Sequence, residues 1–223
     1  MVANKSAVTT PPLENGDRLT RYEFERRYAK MSHLKKAELV EGVVYVPAAL
    51  RFKNHSQPHS YIMTWLGVYQ AFTLRVKLGD NPTVRLDLDN APQPDAILMI
   101  NGGQASISAD DYVEGAPELI VEIAASSVAY DLYDKKQAYR RNGVKEYLVW
   151  RVYDREFDWF YLDKGEYIKL KVDTQGVMRS VNFPGLWLSV SSLLSGEMAE
   201  VLAILQQGLN SEEHQKFVQS LDD

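Results

Sequence analysis

Pro117-Glu-Leu-Ile-Val-Glu122-Ile-Ala-Ala-Ser-Ser127, followed by Asp131-Leu-Tyr-Asp-Lys135-Lys-Gln-Ala-Tyr139 and then Val144-Lys-Glu-Tyr-Leu-Val-Trp150, is the stretch that decides the fold. Residues 118–124 are short and nearly all apolar, as a buried strand is, with Glu122 as the acid inside the run. Residues 131–142 have helix character and stop at Asn142-Gly143. Residues 144–150 read as a second strand. A strand–helix–strand unit favours a right-handed parallel crossover, hence an α/β core rather than a sandwich.

Upstream, Asp95-Ala-Ile-Leu-Met-Ile100 is another buried strand, set off by Gln93-Pro94 before it and Asn101-Gly102-Gly103 after it. A strand is expected near 83–88, and the apolar spacing of Ile62, Leu66, Tyr69, Phe72 and Val76 predicts a long helix over 60–78. Before it, residues 51–60 form a polar loop, and Glu38 to Val46 holds two short strands with a turn at Glu41-Gly42. Thr20 and Glu23 have capping-box spacing for a helix through about Lys30. Residues 1–18 read as a loose leader, so the expected organisation is a single domain over 19–223. Downstream come hairpin strands at 156–162 and 166–172, then helices at 191–207 and 211–221.

The chain has 223 residues and no cysteine, which excludes disulfides, thiolate metal sites and cysteine nucleophiles and fits a reducing cytoplasm. No apolar run approaches the roughly 18 residues of a membrane span, and the first residues lack a secretory h-region. A net charge of −5 gives no overall pull toward nucleic acid. Basic residues cluster locally, at Lys135, Lys136, Arg140, Arg141 and Lys145, and at Arg26, Arg27, Lys30, Lys35 and Lys36.

The chemistry is read from Asp95 and Glu122, one acid in each of two apolar strands. A buried carboxylate needs a cation, a metal or a strong hydrogen bond. Two converging carboxylates make a hard-oxygen site suited to Mg²⁺ or Mn²⁺. Either acid alone reads as a strand-end group facing solvent or a salt-bridge partner; the pair gains meaning only with the segment that follows. On a helix, Asp131, Lys135 and Tyr139 share one face. A lysine there would neutralise charge on a phosphate, or else form an ordinary surface pair with Asp131. The aromatics from Trp150 to Tyr161 read as core and rim.

Taken together, Glu38-Leu-Val-Glu-Gly, His59-x-x-Ile62, Pro94-Asp95, the 117–127 stretch and Asp131-x-x-x-Lys135-x-x-x-Tyr139 resemble the bacterial restriction endonuclease domain family. So do Gly143 to Trp150, Asp158-Trp-Phe160, Phe183-Pro-Gly-Leu-Trp-Leu188 and Glu213-His214-x-x-Phe217, so that the resemblance covers roughly residues 18–221. It implies the PD-(D/E)XK nuclease fold, a mixed β-sheet flanked by helices, here with an extra C-terminal hairpin and helices.

The resemblance also implies roles. Asp95 and Glu122 would bind the metal, and Lys135 would replace the fold's usual lysine, whose place at position 124 is taken by alanine. Tyr139 would support it, and Glu38 would add a metal or water ligand. His59 would hold a metal-bound water or touch phosphate, or else make a local hydrogen bond at a helix start. His33 and His55 read as loop residues, and His214 as structural. The expected activity is Mg²⁺- or Mn²⁺-dependent hydrolysis of DNA by an endonuclease, with a homodimer expected by analogy. The alternatives are a catalytically inactive nuclease-fold domain that binds nucleic acid or a protein, and a small-molecule hydrolase using the same acids.

Overall fold

A computed structural model describes residues 10–47 and 51–222. Helix α1 (Arg21–Tyr28) precedes the hairpin β1 (Glu38–Val40) and β2 (Val43–Tyr45). A π-helical turn at Phe52–Ser56 runs into α2 (Gln57–Phe72). Strands β3 (Val76–Asp80), β4 (Val84–Arg85), β5 (Ala96–Ile100), β6 (Ser106–Ile107), β7 (Val113–Glu114) and β8 (Leu119–Ala124) follow. Helix α3 (Val128–Tyr130), a second π-helical turn (Asp131–Lys135) and α4 (Lys136–Arg141) cross over to β9 (Glu146–Arg151). Then come β10 (Glu156–Asp163), β11 (Glu166–Lys169), β12 (Val177–Arg179), β13 (Trp187–Ser189), α5 (Val190–Ser195), α6 (Met198–Leu209) and α7 (Glu212–Asp222).

The main sheet has six strands in the order β11-β10-β9-β8-β5-β3. Strands β8 and β9 pair in parallel across the helical crossover, as expected of a strand–helix–strand unit, and the other neighbours are antiparallel. The fold is therefore mixed α/β with helices against the sheet. Because strand side chains alternate, the two faces carry different cores. Leu119, Val121, Ile123, Leu148 and Trp150 pack with Ile62, Trp65, Leu66 and Tyr69 of α2 and with Val201 and Leu205 of α6. Ile97, Met99, Ile120, Ala124, Tyr147 and Val149 pack on the other face with Tyr139 of α4. That alternation puts Asp95 and Glu122 on the α4 side. A smaller cluster of Leu13, Phe24, Leu39, Val44 and Ala91 anchors α1 and the first hairpin.

Several elements differ from expectation. The helix over 60–78 ends at Phe72, and Val76–Asp80 is an edge strand paired with β5. Val76 fits helical spacing because it joins the same core cluster as α2, but Arg75 takes a left-handed φ of 67° and turns the chain before it. The helix over 191–207 breaks at Gly196, whose φ of 79° suits a glycine after a helix end. The Thr20 side chain makes no cap bond; Glu23 instead accepts from Arg26 and Arg27. The strand near 83–88 shrinks to Val84–Arg85, in a three-stranded side sheet. Of the expected leader, residues 1–9 lie outside the described residues. Leu13 is buried, and the Gly16 amide donates to Val44 O at 2.8 Å. The Glu41-Gly42 turn is as read, both residues at positive φ as in a two-residue hairpin loop.

Candidate active site

The antiparallel register of β5 on β8 pairs Ala96 with Val121, so one further step brings Asp95 abreast of Glu122. Asp95 Oδ2 accepts the Ile123 amide at 2.7 Å, which locks the carboxylate onto the neighbouring strand. Its Oδ1 faces two cationic or donor groups, His55 Nε2 at 3.1 Å and Lys36 Nζ at 3.6 Å. Burial pushes the Asp95 carboxyl up, but the His55 hydrogen bond and the charges of Lys36 and His55 outweigh it and hold the pKa at about 2. Asp95 is thus an ionised carboxylate.

Glu122 lies inside β8 with its Oε1 accepting Lys135 Nζ at 2.9 Å and the Tyr139 hydroxyl at 2.7 Å. The amine arrives from the crossover by way of the π-helical turn, a wider turn than α that recurs at functional sites. Lys135 is only 3% exposed, and Glu38 Oε1 stands 2.9 Å and Asp131 Oδ1 3.6 Å from the same nitrogen. Glu38 faces inward because its neighbour Leu39 belongs to the anchoring cluster on the other side of β1. Its Oε1 also accepts the Gln93 amide at 2.7 Å, and Asp131 Oδ2 accepts from Ser127 Oγ at 2.6 Å. Burial disfavours the ammonium of Lys135, yet the surrounding carboxylates, Glu122 first, hold its pKa well above the lysine range. Burial pushes Glu122 and Asp131 up, and Lys135 offsets this only in part. One ammonium serves three carboxyl groups, and their mutual repulsion adds to burial in raising Glu122 and Asp131.

These groups line a cavity of about 480 Å³, together with Tyr45, Tyr130 and Ser127. The structure therefore brings Asp95, Glu122, Lys135 and Glu38 together at one place. Tyr139 stands behind Glu122 as its hydrogen-bond donor. His59 does not line the cavity; its Nε2 lies 3.0 Å from the Asp95 carbonyl oxygen and 3.1 Å from Asp80 Oδ1, so it holds the backbone of Asp95 from behind. Position 124 is a fully buried alanine. His214 is structural, as read: its ring lies between Leu209 O at 2.9 Å and Thr73 Oγ1 at 3.0 Å.

Sequence reading missed two partners of Asp95. His55 was expected in a loop but sits in the first π-helical turn, and its i,i+4 spacing to His59 was the available signal. Lys36 was visible only as one of a basic run.

Among the described residues no three His, Asp or Glu side chains are already grouped as a metal cluster. The donor set nevertheless suits a hard divalent ion. Asp95 and Glu122 are oxygen donors on one sheet face, and Mg²⁺ commonly takes only one or two carboxylates plus water and phosphate. No helix of the described residues is long and apolar enough to cross a membrane.

The crystal structure of a protein described as a putative nuclease of DUF820 from Anabaena variabilis aligns with a TM-score of 0.56 over 76% of this chain and 96% of that one. Identity to it is 13%, so the likeness speaks to the fold. No match was found among curated proteins. The Uma2 family, described as "Putative restriction endonuclease", matches residues 21–191, a span that contains Glu38, Asp95, Glu122 and Lys135. On that match, over the part of the chain that builds both the sheet and the cavity, the chain belongs to the Uma2 restriction-endonuclease-like family.

Proposed function

We propose that this chain is a divalent-metal-dependent endonuclease that hydrolyses DNA phosphodiester bonds. The observation that carries the reading is the meeting of Asp95, Glu122 and Lys135, from three separate elements, at one cavity. Asp95 and Glu122 hold Mg²⁺ or Mn²⁺ through carboxylate oxygens. The bound ion supplies Lewis acidity toward the phosphate and lowers the pKa of a coordinated water. Lys135 stabilises negative charge that develops on the phosphoryl oxygens, and in a buried pocket such a charge acts with little screening. Glu38 and Asp131 keep that ammonium charged and aimed, while Tyr139 fixes the rotamer of Glu122. His55 and Lys36 keep Asp95 ionised, and His59 sets the backbone on which Asp95 is carried.

Supercoiled plasmid incubated with Mg²⁺ or Mn²⁺ tests this. Nicking by the wild type that disappears in Asp95→Ala and Glu122→Ala supports the reading; nicking that persists in both comes from another protein and removes it. A second reading is a nuclease-fold domain without hydrolysis, favoured by the three carboxylates that already engage Lys135 and by alanine at position 124. It predicts DNA binding with no nicking under any divalent ion.

A further inference from the structure

Beside the active-site cavity lies a second depression of about 290 Å³, and the same two segments wall both. The first π-helical turn gives Asn54 and His55 to the cavity and Lys53 to the depression. The β9–β10 connection gives Tyr153 to the cavity and Arg155 to the depression. Asn54 Nδ2 donates to the Tyr153 hydroxyl at 2.9 Å, which joins the two segments into one ridge. Each of the two segments carries an exposed aromatic ring, Phe52 at 70% and Tyr153 at 57% exposure.

The charge of the ridge differs from that of the whole chain. Arg51, Lys53 and Arg155 are exposed, and none enters an ion pair among the described residues. The nearby acids Asp154 and Glu156 share Arg151 with Asp158 and make no ion pair with the three cations. In a chain of net charge −5, three exposed cations without an ion pair thus stand on the segments that wall the cavity and the depression.

We propose that the ridge is a track for single-stranded DNA, which leads one strand from the depression over Phe52 and Tyr153 to the active site. The choice of ligand rests on the nuclease reading above. Unpaired cations follow a phosphate backbone, and exposed aromatic rings stack on bases that are themselves unpaired. A duplex keeps its base faces inside its own stack and so offers nothing to Phe52 or Tyr153. It is also stiff, with a persistence length of about 50 nm, whereas Asp95 and Glu122 are almost wholly buried at the cavity wall. A flexible single strand can lower a phosphate to them; a duplex must first open.

The test uses the full chain and a fluorescent oligothymidylate of about 20 nucleotides, longer than a typical single-strand site. Anisotropy is measured in EDTA, so that binding is read without cleavage, and a duplex of equal length is the comparison. The single strand is expected to bind at least about 10-fold more tightly than the duplex, with Phe52→Ala and Tyr153→Ala each costing about 10-fold. The double variant Lys53→Ala/Arg155→Ala should lower the slope of log affinity against log salt by about 1.4, from two lost phosphate contacts. Thermal melting confirms that each variant is folded. Duplex binding as tight as single-strand binding, or unchanged affinity in both aromatic variants, overturns the track. Plasmid nicking by wild type alongside that result removes the track and keeps the nuclease. Loss of single-strand binding in the variants with no nicking by wild type keeps the track and removes the nuclease.

Discussion

Lys135 Nζ lies 2.9 Å from Glu122 Oε1, although the two residues belong to different elements and both are buried. Glu38 Oε1 is equally close to that nitrogen, so the ammonium ties β1, β8 and the crossover helix together. Substitution of Lys135 by Ala leaves these carboxylates without their cation. The expected cost is about 3–5 kcal/mol in urea denaturation, because an unpaired buried charge is far more expensive than a missing surface pair. An unchanged midpoint would contradict the shared position of the amine.

The two histidines nearest Asp95 and the buried His214 separate site from scaffold. His55→Ala removes the donor at Asp95 Oδ1, and loss of such support commonly lowers metal affinity or activity by about 10–100-fold. His214→Ala, between Thr73 and Leu209, should lower the melting temperature and leave the nicking rate of the folded protein unchanged. Rates measured well below both melting temperatures check this; equal rate losses in the two variants would show that His55 has no special relation to the site.

Acid should expose the state of Asp95. Its folded pKa of about 2 lies below the unfolded value near 3.9, so its ionised form stabilises the fold. That contribution is complete above about pH 5 and is lost progressively as pH falls through about 2, roughly 2.6 kcal/mol in all. The stability gap between wild type and Asp95→Asn in metal-free buffer should therefore narrow by about that amount across this range. Denaturant titrations at each pH measure it, and a constant gap would mean that Asp95 is not held ionised.

Much of the site was legible because its residues obey local periodicities. Glu122 interrupts an apolar strand, Asp95 opens another, and Lys135 and Tyr139 stand one helical turn apart; each pattern survives folding. The same logic also selects Glu146 and Glu118, and these do different work. Glu146 Oε1 accepts Ser180 Oγ and the amides of Val181 and Asn182, and its Oε2 accepts Trp159 Nε1. Glu118 accepts the amides of Ile100 and Gln104. An acid in an apolar strand announces a buried partner without saying whether that partner is an amine, a ligand or a turn of backbone. His55 showed only its spacing to His59, and Lys36 only a basic run: they reach Asp95 across 40 and 59 residues of chain, a tertiary approach that no local pattern records. The boundary at Phe72 was hidden because helix and edge strand feed one core.

Glu146 supplies the matching control. Glu146→Ala leaves the buried Trp159 Nε1 unpaired, at about 1–3 kcal/mol, and frees the less buried donors of residues 180–182, so a loss of stability comparable to that of Lys135→Ala is expected. Ion binding by the folded fraction should be untouched. A variant that folds normally, or that loses ion binding while folded, would show that the clamp and the site are not separate.

Titration of Mn²⁺ into the full chain, followed by electron paramagnetic resonance, tests whether Asp95 and Glu122 act together on a metal, with no substrate needed. The account predicts a bound ion that Mg²⁺ displaces and that is lost in Asp95→Ala and in Glu122→Ala. Undiminished Mn²⁺ binding in both folded variants, or none in the wild type, would contradict it.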